Sequence, residues 1–297
     1  MREKGEAGAV GTLLRRIHVL ELAAKKNAAG ILAGGYLTAI RGRGLIFHES
    51  RKYVPGEPAR SIDWNVTARL GEPYVKVNLE ERRREVVILL DVSPSMHAGL
   101  AAKTKLEHAV ELAATLAVAA TRAGDHVGHV VFADRVLGES RPRGGRAQLF
   151  RVLRAFVEGA APWSRPVAVS DPRAAVHALE RRRRGRFVVF LISDFIDHDV
   201  PEDLKYLRER HDVSLLHVYD PLEQAAAGEV VFQGFSPEGR RRRALLTPGE
   251  TGSLDEMSRF LREQAALYRI AYDSFSTAVP VRSALDRFFH RKRARRR

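Results

Sequence analysis

The sequence predicts an α/β fold with a doubly wound, mostly parallel sheet, and three observations support that prediction. Short apolar runs rich in β-branched residues, such as Val86–Leu90 and Phe187–Ile192, are typical of strands buried on both faces. Segments with helical periodicity alternate with these runs, which indicates βαβ units. An aspartate follows each run, Asp91 directly and Asp194 after one serine.

The first part of the chain predicts a small unit that precedes the sheet. Leucine and isoleucine recur at helical spacing from about Thr12, so we expect an amphipathic helix there. The glycines of the segment Gly30–Gly44 argue against a continuous helix. From Gly44 to Val77 the pattern indicates strands and turns. We therefore place a helix-and-strand unit at residues 1–82.

Residues 83–290 form the main predicted domain, in which strands and helices alternate. The expected strands are Val86–Leu90, Val127–Phe132, Arg135–Gly138, Phe187–Ile192 and Val213–Tyr219. The expected helices are Lys103–Ala123, Gln148–Glu158, Pro172–Arg182 and, as the final helix, Ser253–Tyr268. The first of these helices is apolar nearly all round, so it should be buried, and Gly124 should end it. A polar hairpin is expected around Gly234–Gly239.

Composition is that of a globular protein, and it excludes several kinds of site. Of the 297 residues, 45% are hydrophobic, which is enough for a packed core. The chain has no cysteine, which excludes disulfides, thiolate metal sites and a cysteine nucleophile. We find no signal-peptide pattern and no apolar stretch of the ~20 residues that span a bilayer. We therefore expect a cytoplasmic protein without a transmembrane segment.

The formal net charge of +14 is concentrated in four basic runs. They are Arg82–Arg84, Arg181–Arg184, Arg240–Arg243 and the end of the chain, Arg291–Arg297. Such runs either attract an acidic partner or form solvated loops and helix ends. No aromatic residues for base stacking are interleaved with them, so we expect no nucleic-acid partner. Residues 291–297 are too uniformly charged to bury, and we expect a basic, disordered tail.

The stretch from Asp91 to Ser95 places a carboxylate and two hydroxyls, those of Ser93 and Ser95, just beyond a buried strand. Ligands of open α/β sheets bind outside the carboxyl ends of the strands. If the strand before Asp194 is the neighbouring strand, both carboxylates face one crevice. Carboxylates and hydroxyls are hard oxygen ligands that suit Mg²⁺, with Ca²⁺ or Mn²⁺ as alternatives, and do not suit Zn²⁺. We expect a shallow surface cluster.

Two other interpretations stay open. Asp91, Ser93 and Ser95 could cap the helix that follows and bind no metal. The basic runs are also compatible with a metal-dependent hydrolase or nuclease that acts on an anionic substrate. A two-metal enzyme, however, needs more carboxylates than Asp91 and Asp194, and no nucleophile-elbow, P-loop or His-Glu-x-x-His motif is present. The leading expectation is a binding module and not an enzyme.

The Asp-x-Ser-x-Ser pattern resembles the metal-ion-dependent adhesion site of von Willebrand factor A domains. A second resemblance, to the bacterial domain-of-unknown-function-58 proteins, covers about residues 12–290. Its fingerprint is carried by Phe47–Gly56, Arg60–Trp64, Ala68-Arg69, Tyr74–Lys76, the turn Gly124-Asp125 and the step Ser193-Asp194-Phe195. Within the fingerprint we expect Trp64 to anchor the small unit to the sheet. We also expect a network of paired charges, formed by Glu49, Arg51, Arg60, Asp63 and Arg69.

These resemblances imply a von Willebrand A-like, Rossmann-like domain that works beside a MoxR-type AAA+ ATPase. They imply that Asp91, Ser93, Ser95 and Asp194 hold Mg²⁺ and that an acidic protein ligand completes the metal shell. The remaining ligand of the family is a threonine, and Ser170 stands at the matching position. The implied role is chaperone-like assembly or maturation of protein complexes.

Overall fold

One six-stranded sheet lies at the centre of the molecule, with helices on both of its faces. The computed structural model describes residues 2–41, 47–57, 62–78, 83–97, 103–161, 170–181, 185–196, 201–221, 230–235, 241–246 and 254–294. The strands are β1 (Phe47–Lys52), β2 (Tyr74–Asn78), β3 (Glu85–Asp91), β4 (His126–Phe132), β5 (Val136–Arg143), β6 (Phe187–Ser193), β7 (Asp212–Tyr219), β8 (Val230–Phe235), β9 (Arg241–Leu246) and β10 (Ala271–Ser276). The helices are α1 (Arg2–Gly34), α2 (Tyr36–Arg41), α3 (Trp64–Leu70), α4 (Lys105–Arg122), α5 (Arg146–Gly159), α6 (Pro172–Glu180), α7 (Pro201–Arg210), α8 (Leu254–Leu267) and α9 (Val281–Ala294).

The strand order of the large sheet is β10-β7-β6-β3-β4-β5. All neighbouring pairs are parallel except β4 and β5, which are antiparallel. The predicted neighbours β3 and β6 are adjacent and parallel, with Leu90 opposite Ile192. The chain runs outward from β3 to β5 and then crosses to β6 on the other side of β3. The switch point therefore lies between the ends of β3 and β6, where ligands bind in open α/β sheets.

Alternate residues of β3 supply two separate cores, as expected for a strand buried on both faces. Val86, Ile88 and Leu90 pack with apolar residues of α1, α4, α5 and α9. Val87 and Leu89 pack on the opposite face with residues of α6, α7 and α8. The structure thus confirms a mixed α/β architecture with a mostly parallel sheet between helical layers.

Helix α4 begins and ends where its sequence signals indicate. Thr104 caps its N-terminus and accepts a hydrogen bond from the Glu107 amide, and the Glu107 side chain accepts one from the Thr104 amide. Gly124 follows the helix with a φ of 80°, a conformation that glycine adopts at little cost. Nearly the whole helix is buried, as its apolar sequence predicts.

The N-terminal helix is longer than the sequence predicts, since α1 runs through Gly30 to Gly34 and α2 follows after Gly35. Gly30 therefore lies inside a continuous helix and does not break it; a Cβ atom there would meet the end of the Arg282 side chain of α9, which would have to shift. Helix α1 contributes Ile17 and further apolar residues to the same core as β3. The division near residue 82 stays a prediction.

The segment between β1 and β2 also differs from the expectation of strands and turns alone. The two strands pair antiparallel, but α3 lies between them, with Asp63 as its N-cap and Gly71 at its C-terminal end. Trp64 is 67% exposed, so the expectation that it anchors the unit was wrong. Arg51 forms an ion pair with Glu57, which was not among the expected members of the network. The side chain of Glu49 and all of Arg60 lie outside the described residues.

The C-terminal part of the chain contains two elements that the sequence analysis missed, because β10 and α9 follow the helix that was predicted to be the last. The expected disordered tail was wrong for residues 291–294, which are helical. Lys292 is buried there and donates hydrogen bonds to Ser214 Oγ at 2.8 Å and Asp212 Oδ1 at 3.3 Å. Its burial is possible because these oxygens replace water around the ammonium group.

Other predictions fall partly outside the described residues. Strands β8 and β9 pair antiparallel, which confirms the hairpin, but its turn at residues 236–240 is not described. The same holds for residues 182–184 and 295–297 of the basic runs. Within the described part of the chain, none of the helices is both long and apolar enough to cross a bilayer.

Removal of the buried Lys292 should destabilise the protein. Truncation after His290 should lower the free energy of unfolding by about 2–4 kcal/mol, because Asp212 and Ser214 lose Lys292 and the buried Asp273 loses its ion pair with Arg291. Urea unfolding followed by circular dichroism measures the change. Truncation after Ala294, which removes only 295–297, is the matched control and should change stability little. Equal effects of the two truncations would contradict a structural role of Lys292.

Candidate metal centre

The Asp91 carboxylate, at the end of β3, accepts three hydrogen bonds from three different segments. Its Oδ1 accepts one from the Ser93 amide at 2.8 Å. Its Oδ2 accepts one from the Ser170 hydroxyl and one from the Ser193 hydroxyl, both at 2.7 Å. The side chain is fully buried. These bonds hold the loop after β3, the loop before α6 and the end of β6 around one carboxylate.

A chain of hydroxyl groups leads from this loop to the second carboxylate. Ser93 Oγ lies 3.1 Å from Ser95 Oγ, and Ser95 Oγ donates to Asp194 Oδ1 at 3.2 Å. Asp194 and Ser93 are buried, whereas Ser95 is partly exposed. Because β3 and β6 are parallel neighbours, the residues after their carboxyl ends meet on the same edge of the sheet.

Ser170 reaches the cluster from the loop that precedes α6. The amide of Asp171 donates to the Ala133 carbonyl at 2.7 Å, which joins this loop to the end of β4. Asp171 also caps α6 by accepting a hydrogen bond from the Arg173 amide. The Ser170 hydroxyl therefore has a defined position beside Asp91. All five residues predicted as metal ligands (Asp91, Ser93, Ser95, Ser170 and Asp194) lie in this one cluster.

Lys105, the first residue of α4, also lies in the cluster, which was not expected from the sequence. Its side chain is buried, and Nζ lies 2.9 Å from Asp194 Oδ2. That oxygen accepts no well-aligned hydrogen bond from the described residues, so the contact is an ion pair with little directional bonding. A lysine at the start of an apolar helix is usually solvated, and nothing in its spacing indicated this contact.

Ser193 and Phe195 give the turn after β6 its shape. Ser193 Oγ accepts a hydrogen bond from the Phe195 amide at 2.9 Å while it donates to Asp91. Phe195 has a φ of 53°, in the left-handed region that costs a bulky residue conformational energy. Its ring is fully buried in the core that contains Val87 and Leu89. Burial of this ring and the Ser193 bond therefore hold Asp194 in a strained turn.

A buried histidine completes the surroundings of Asp194. His217 lies on β7 opposite Ser193, and its Nδ1 is 3.0 Å from the Tyr272 hydroxyl. Burial lowers the pKa of His217 to about 4, so the ring is neutral at pH 7. It adds no positive charge to the cluster. Its location could not be inferred from the sequence, in which it is one polar residue of a buried strand.

The electrostatics of the cluster make a second negative charge costly. Burial is the main cause that raises the pKa of Asp91 to about 6, and the neighbouring Asp194 carboxylate raises it further. The hydrogen bonds from Ser193, Ser93 and Ser170 oppose this shift. A bound cation would relieve the same repulsion.

The donor set fits a hard divalent cation. Two carboxylates and three hydroxyls converge, and Asp194 Oδ2 lacks a well-aligned donor among the described residues.

The expected shallow surface cluster was wrong, because only Ser95 is more than slightly exposed. The helix-cap alternative also fails for α4, since Thr104 is its cap. No group of three or more His, Asp and Glu side chains with metal-ligand geometry occurs in the described ranges.

The raised pKa of Asp91 predicts a specific pH dependence of stability without metal. Below about pH 4 the carboxyl is protonated in both states, since its ordinary pKa is 3.8. As pH rises through the folded pKa of about 6, ionisation of the buried group removes up to about 3 kcal/mol of stability. The Asp91→Asn variant should lack this loss. Urea unfolding in EDTA between pH 4 and pH 7.5 measures it.

The control for this experiment is Asp134→Asn, which removes a partly exposed carboxylate beyond β4 that pairs with Arg135. The control should follow the wild-type pH profile. If wild type and Asp91→Asn show parallel profiles, the Asp91 carboxyl does not titrate as its buried position predicts.

Comparison with known proteins finds a matching protein family and similar sequences. The model of a family described as "Protein of unknown function DUF58" matches residues 49–244. Uncharacterized protein Rv1480 of Mycobacterium tuberculosis is 31% identical over 224 residues, which cover 74% of this chain and 70% of the relative. Uncharacterized protein Mb1516 of Mycobacterium bovis matches with the same identity and coverage.

A solved structure shares the fold at low sequence identity. The conserved hypothetical protein BatB from Bacteroides thetaiotaomicron superposes with a TM-score of 0.50 and 22% identity. The match covers 70% of this chain and 98% of BatB. At this identity the likeness concerns the fold alone. The family match spans most of the fingerprint, β3 and both carboxylates of the cluster, and on that basis this chain belongs to the DUF58 family.

Proposed function

We propose that this protein is a metal-ion-dependent protein-interaction module with a von Willebrand A-like domain. It would act as the partner of a MoxR-type AAA+ ATPase in the assembly or maturation of other protein complexes. The observation that carries the proposal is the convergence of Asp91, Ser93, Ser95, Ser170 and Asp194 at the switch point of the sheet. Five side chains with oxygen atoms, contributed by three loops, rarely converge in a protein unless they bind a ligand.

The roles of the side chains follow from their contacts. Asp91 and Asp194 would supply negative charge, and the hydroxyls of Ser93, Ser95 and Ser170 would supply neutral oxygen ligands. Bound Mg²⁺ would supply an open coordination position for a carboxylate of a partner protein. Ser95 is the most exposed member, so the partner would approach from its side. Ser193 and Phe195 keep Asp194 in place.

The choice of partner rests on the family resemblance and on charge. The resemblance of the fingerprint implies a MoxR-type ATPase as the partner, and the metal site would recognise an acidic side chain on the ATPase or on its client. A partner that uses ATP would meet the protein in the cytoplasm, which is the location we propose. The net charge of +14 would favour association with acidic protein surfaces.

A binding role fits the cluster better than hydrolysis of an anionic substrate. Hydrolysis by metal-bound water needs a general base or further carboxylates near the ion. Around Asp91 and Asp194 the described side chains are hydroxyls, the Lys105 ammonium and the neutral His217. Hydroxyls and a paired ammonium can position a ligand, but they are poor proton acceptors at neutral pH. The low pKa of the buried His217, about 4, makes its imidazole a weak base as well.

Magnesium binding should depend on Asp91. With Mg²⁺ well above its dissociation constant, the wild type should gain roughly 1–3 kcal/mol of stability by mass action, and Asp91→Asn should gain almost none. Thermal unfolding in EDTA and in Mg²⁺ measures the difference. Asparagine is preferable to alanine, since removal of the whole side chain would leave the hydroxyls of Ser170 and Ser193 without their acceptor.

The partner interaction should depend on the same site. Affinity capture from native extract should recover an AAA+ ATPase in Mg²⁺ and lose most of it in EDTA or with Asp91→Asn. The control Asp134→Asn should capture as much ATPase as the wild type. Capture that is insensitive to both EDTA and Asp91→Asn would exclude a metal-dependent interface. Mg²⁺-dependent cleavage of nucleic acid by the purified protein would favour the hydrolase alternative.

A further inference from the structure

Strand β10 forms one edge of the large sheet. It pairs with β7 in an unbroken parallel register from Ala271 to Ser276. Within the described part of the chain, no further strand pairs with its outer side. The backbone groups of an edge strand can pair with an additional strand, and for that reason proteins usually protect such edges.

The opposite edge of the sheet carries this protection, whereas β10 does not. Strand β5 contains Pro142, which has no amide to donate, and its register with β4 shifts at two places. Arg141 and Arg143 are exposed on β5. Strand β10 contains no proline, lysine or arginine, and its one charged residue, Asp273, is buried and pairs with Arg291. The sequence of β10 therefore leaves its outer edge open to pairing.

The hydrogen bonds around β10 show which backbone groups face outwards. The Thr277 amide, just after the strand, donates to the Tyr219 carbonyl of β7 at 3.0 Å. Because the backbone groups of successive strand residues alternate in direction, every second residue before Thr277 faces β7 and the others face away. The residues that face away are Tyr272, Ser274 and Ser276. In agreement, the Ser274 amide donates to the Asp273 side chain, 3.0 Å from Oδ1, and to no strand.

A cavity of about 800 Å³ runs along this outer side of β10. It is lined by four successive residues, Ala271–Ser274, and by Ser276. Successive side chains of a strand point to opposite faces, so a cavity that contacts all of these residues follows the edge of the strand. Helix α8 borders it from one face of the sheet and α9 from the other. Its volume is in the range of ligand sites.

Cationic side chains line the cavity from both faces. Arg262 of α8 and Arg287 of α9 are exposed, and neither forms an ion pair with a described residue. Arg291 and Lys292 also line the cavity, and each pairs with an aspartate. Arg262 and Arg287 can therefore bind a carboxylate without the loss of an existing ion pair.

We propose that the outer edge of β10 is a docking groove for an acidic, extended segment of a partner protein. The segment would continue the sheet by pairing with the backbone of Tyr272, Ser274 and Ser276. Its side chains would alternate between the two faces, so neighbouring carboxylates would reach Arg262 on one face and Arg287 on the other. The groove is separated from β6 and the metal centre by β7, and the inference goes beyond the proposed function because this docking requires no metal.

Binding of a labelled peptide in EDTA tests the inference. The probe is the amidated hexapeptide Glu-Val-Glu-Glu-Val-Glu with fluorescein on its N-terminus. Fluorescence polarisation should show saturable binding that weakens as the salt concentration rises. The analogue with lysine in place of each glutamate should not bind. The acidic peptide with every backbone amide methylated keeps the charges but has no amide to donate, and it should lose binding as well. Absence of saturable binding by the unmodified peptide would overturn the inference.

Substitution of the unpaired arginines tests the charge of the groove. Arg262→Gln and Arg287→Gln should each weaken peptide binding on the order of threefold, and the double variant on the order of tenfold. The matched control is Arg259→Gln, which removes an exposed arginine of α8 that does not line the cavity and should bind the peptide like the wild type. Truncation after Ala294 should also retain binding. Equal weakening by Arg259→Gln, or loss of binding on truncation, would show general attraction to a basic protein and overturn the inference.

Substitution of Ser274 by proline tests the backbone pairing. The Ser274 amide makes no bond with β7, and edge strands tolerate proline where the amide faces outwards, so Ser274→Pro should keep the wild-type circular dichroism spectrum. Its ring should obstruct an added strand and abolish peptide binding. Unchanged binding by this variant would contradict the pairing.

Hydrogen exchange of the wild type supplies a measurement that needs no variant. The outward amides of Tyr272 and Ser276 should exchange more slowly when the peptide is bound, because they then donate to its carbonyls. A bound peptide that leaves both amides unprotected would overturn the inference. If Ser274→Pro does not fold, this measurement decides.

Other occupants of the groove would give different results. A second copy of this chain would form an edge-to-edge dimer that Ser274→Pro dissociates in analytical ultracentrifugation. A site for small anions would bind the methylated and the unmodified acidic peptide equally, and inorganic phosphate would displace both. Either result would overturn the inference. Because the peptide is measured in EDTA, failure of the groove leaves the metal-dependent interaction of the proposed function unaffected.

Discussion

The Asp91 carboxylate is the interaction on which the site depends. It ends the central strand of the sheet and accepts hydrogen bonds from the loop after β3, from Ser170 and from Ser193. Each donor comes from a different connection, so the geometry of three loops is set by one buried acceptor. Because the Asp91 carboxylate is buried beside Asp194, its negative charge is costly. A positive charge bound near the two carboxylates would lower that cost.

Lys105 offsets the negative charge of the two buried carboxylates, and the proposed metal ion would offset the same charge. The ammonium group already offsets one of the two carboxylates, which keeps the buried cluster from carrying two uncompensated charges. This explains how such a site can fold without a cation.

The sequence predicted the central sheet well and its periphery less well. Strands β3 and β6 are continuous apolar runs, and an aspartate after each pointed to the switch point of the sheet. The burial of Lys105 and Lys292 could not be predicted, because each is stabilised by an oxygen acceptor that lies about 80 to 90 positions away in the sequence. Composition alone makes both lysines look solvated.

The exposure of Trp64, which was expected to anchor the N-terminal unit, has a local explanation. Trp64 was expected to be buried because large aromatic side chains usually are. It is instead the first residue of a short helix whose N-cap, Asp63, directs it towards solvent. Short helices between strands have weak periodicity, and their caps are visible only once the helix is known.

The most direct test of the account is a crystal structure of the protein soaked in Mn²⁺ together with acetate, analysed by anomalous scattering. The account predicts one strong peak within coordination distance, about 2.2 Å, of oxygen atoms from Asp91, Ser93 or Ser95 and close to Asp194. Density for an added carboxylate should lie on the Ser95 side of the ion. A fully ordered cluster without an anomalous peak at saturating Mn²⁺, with Lys105 still paired to Asp194, would contradict it.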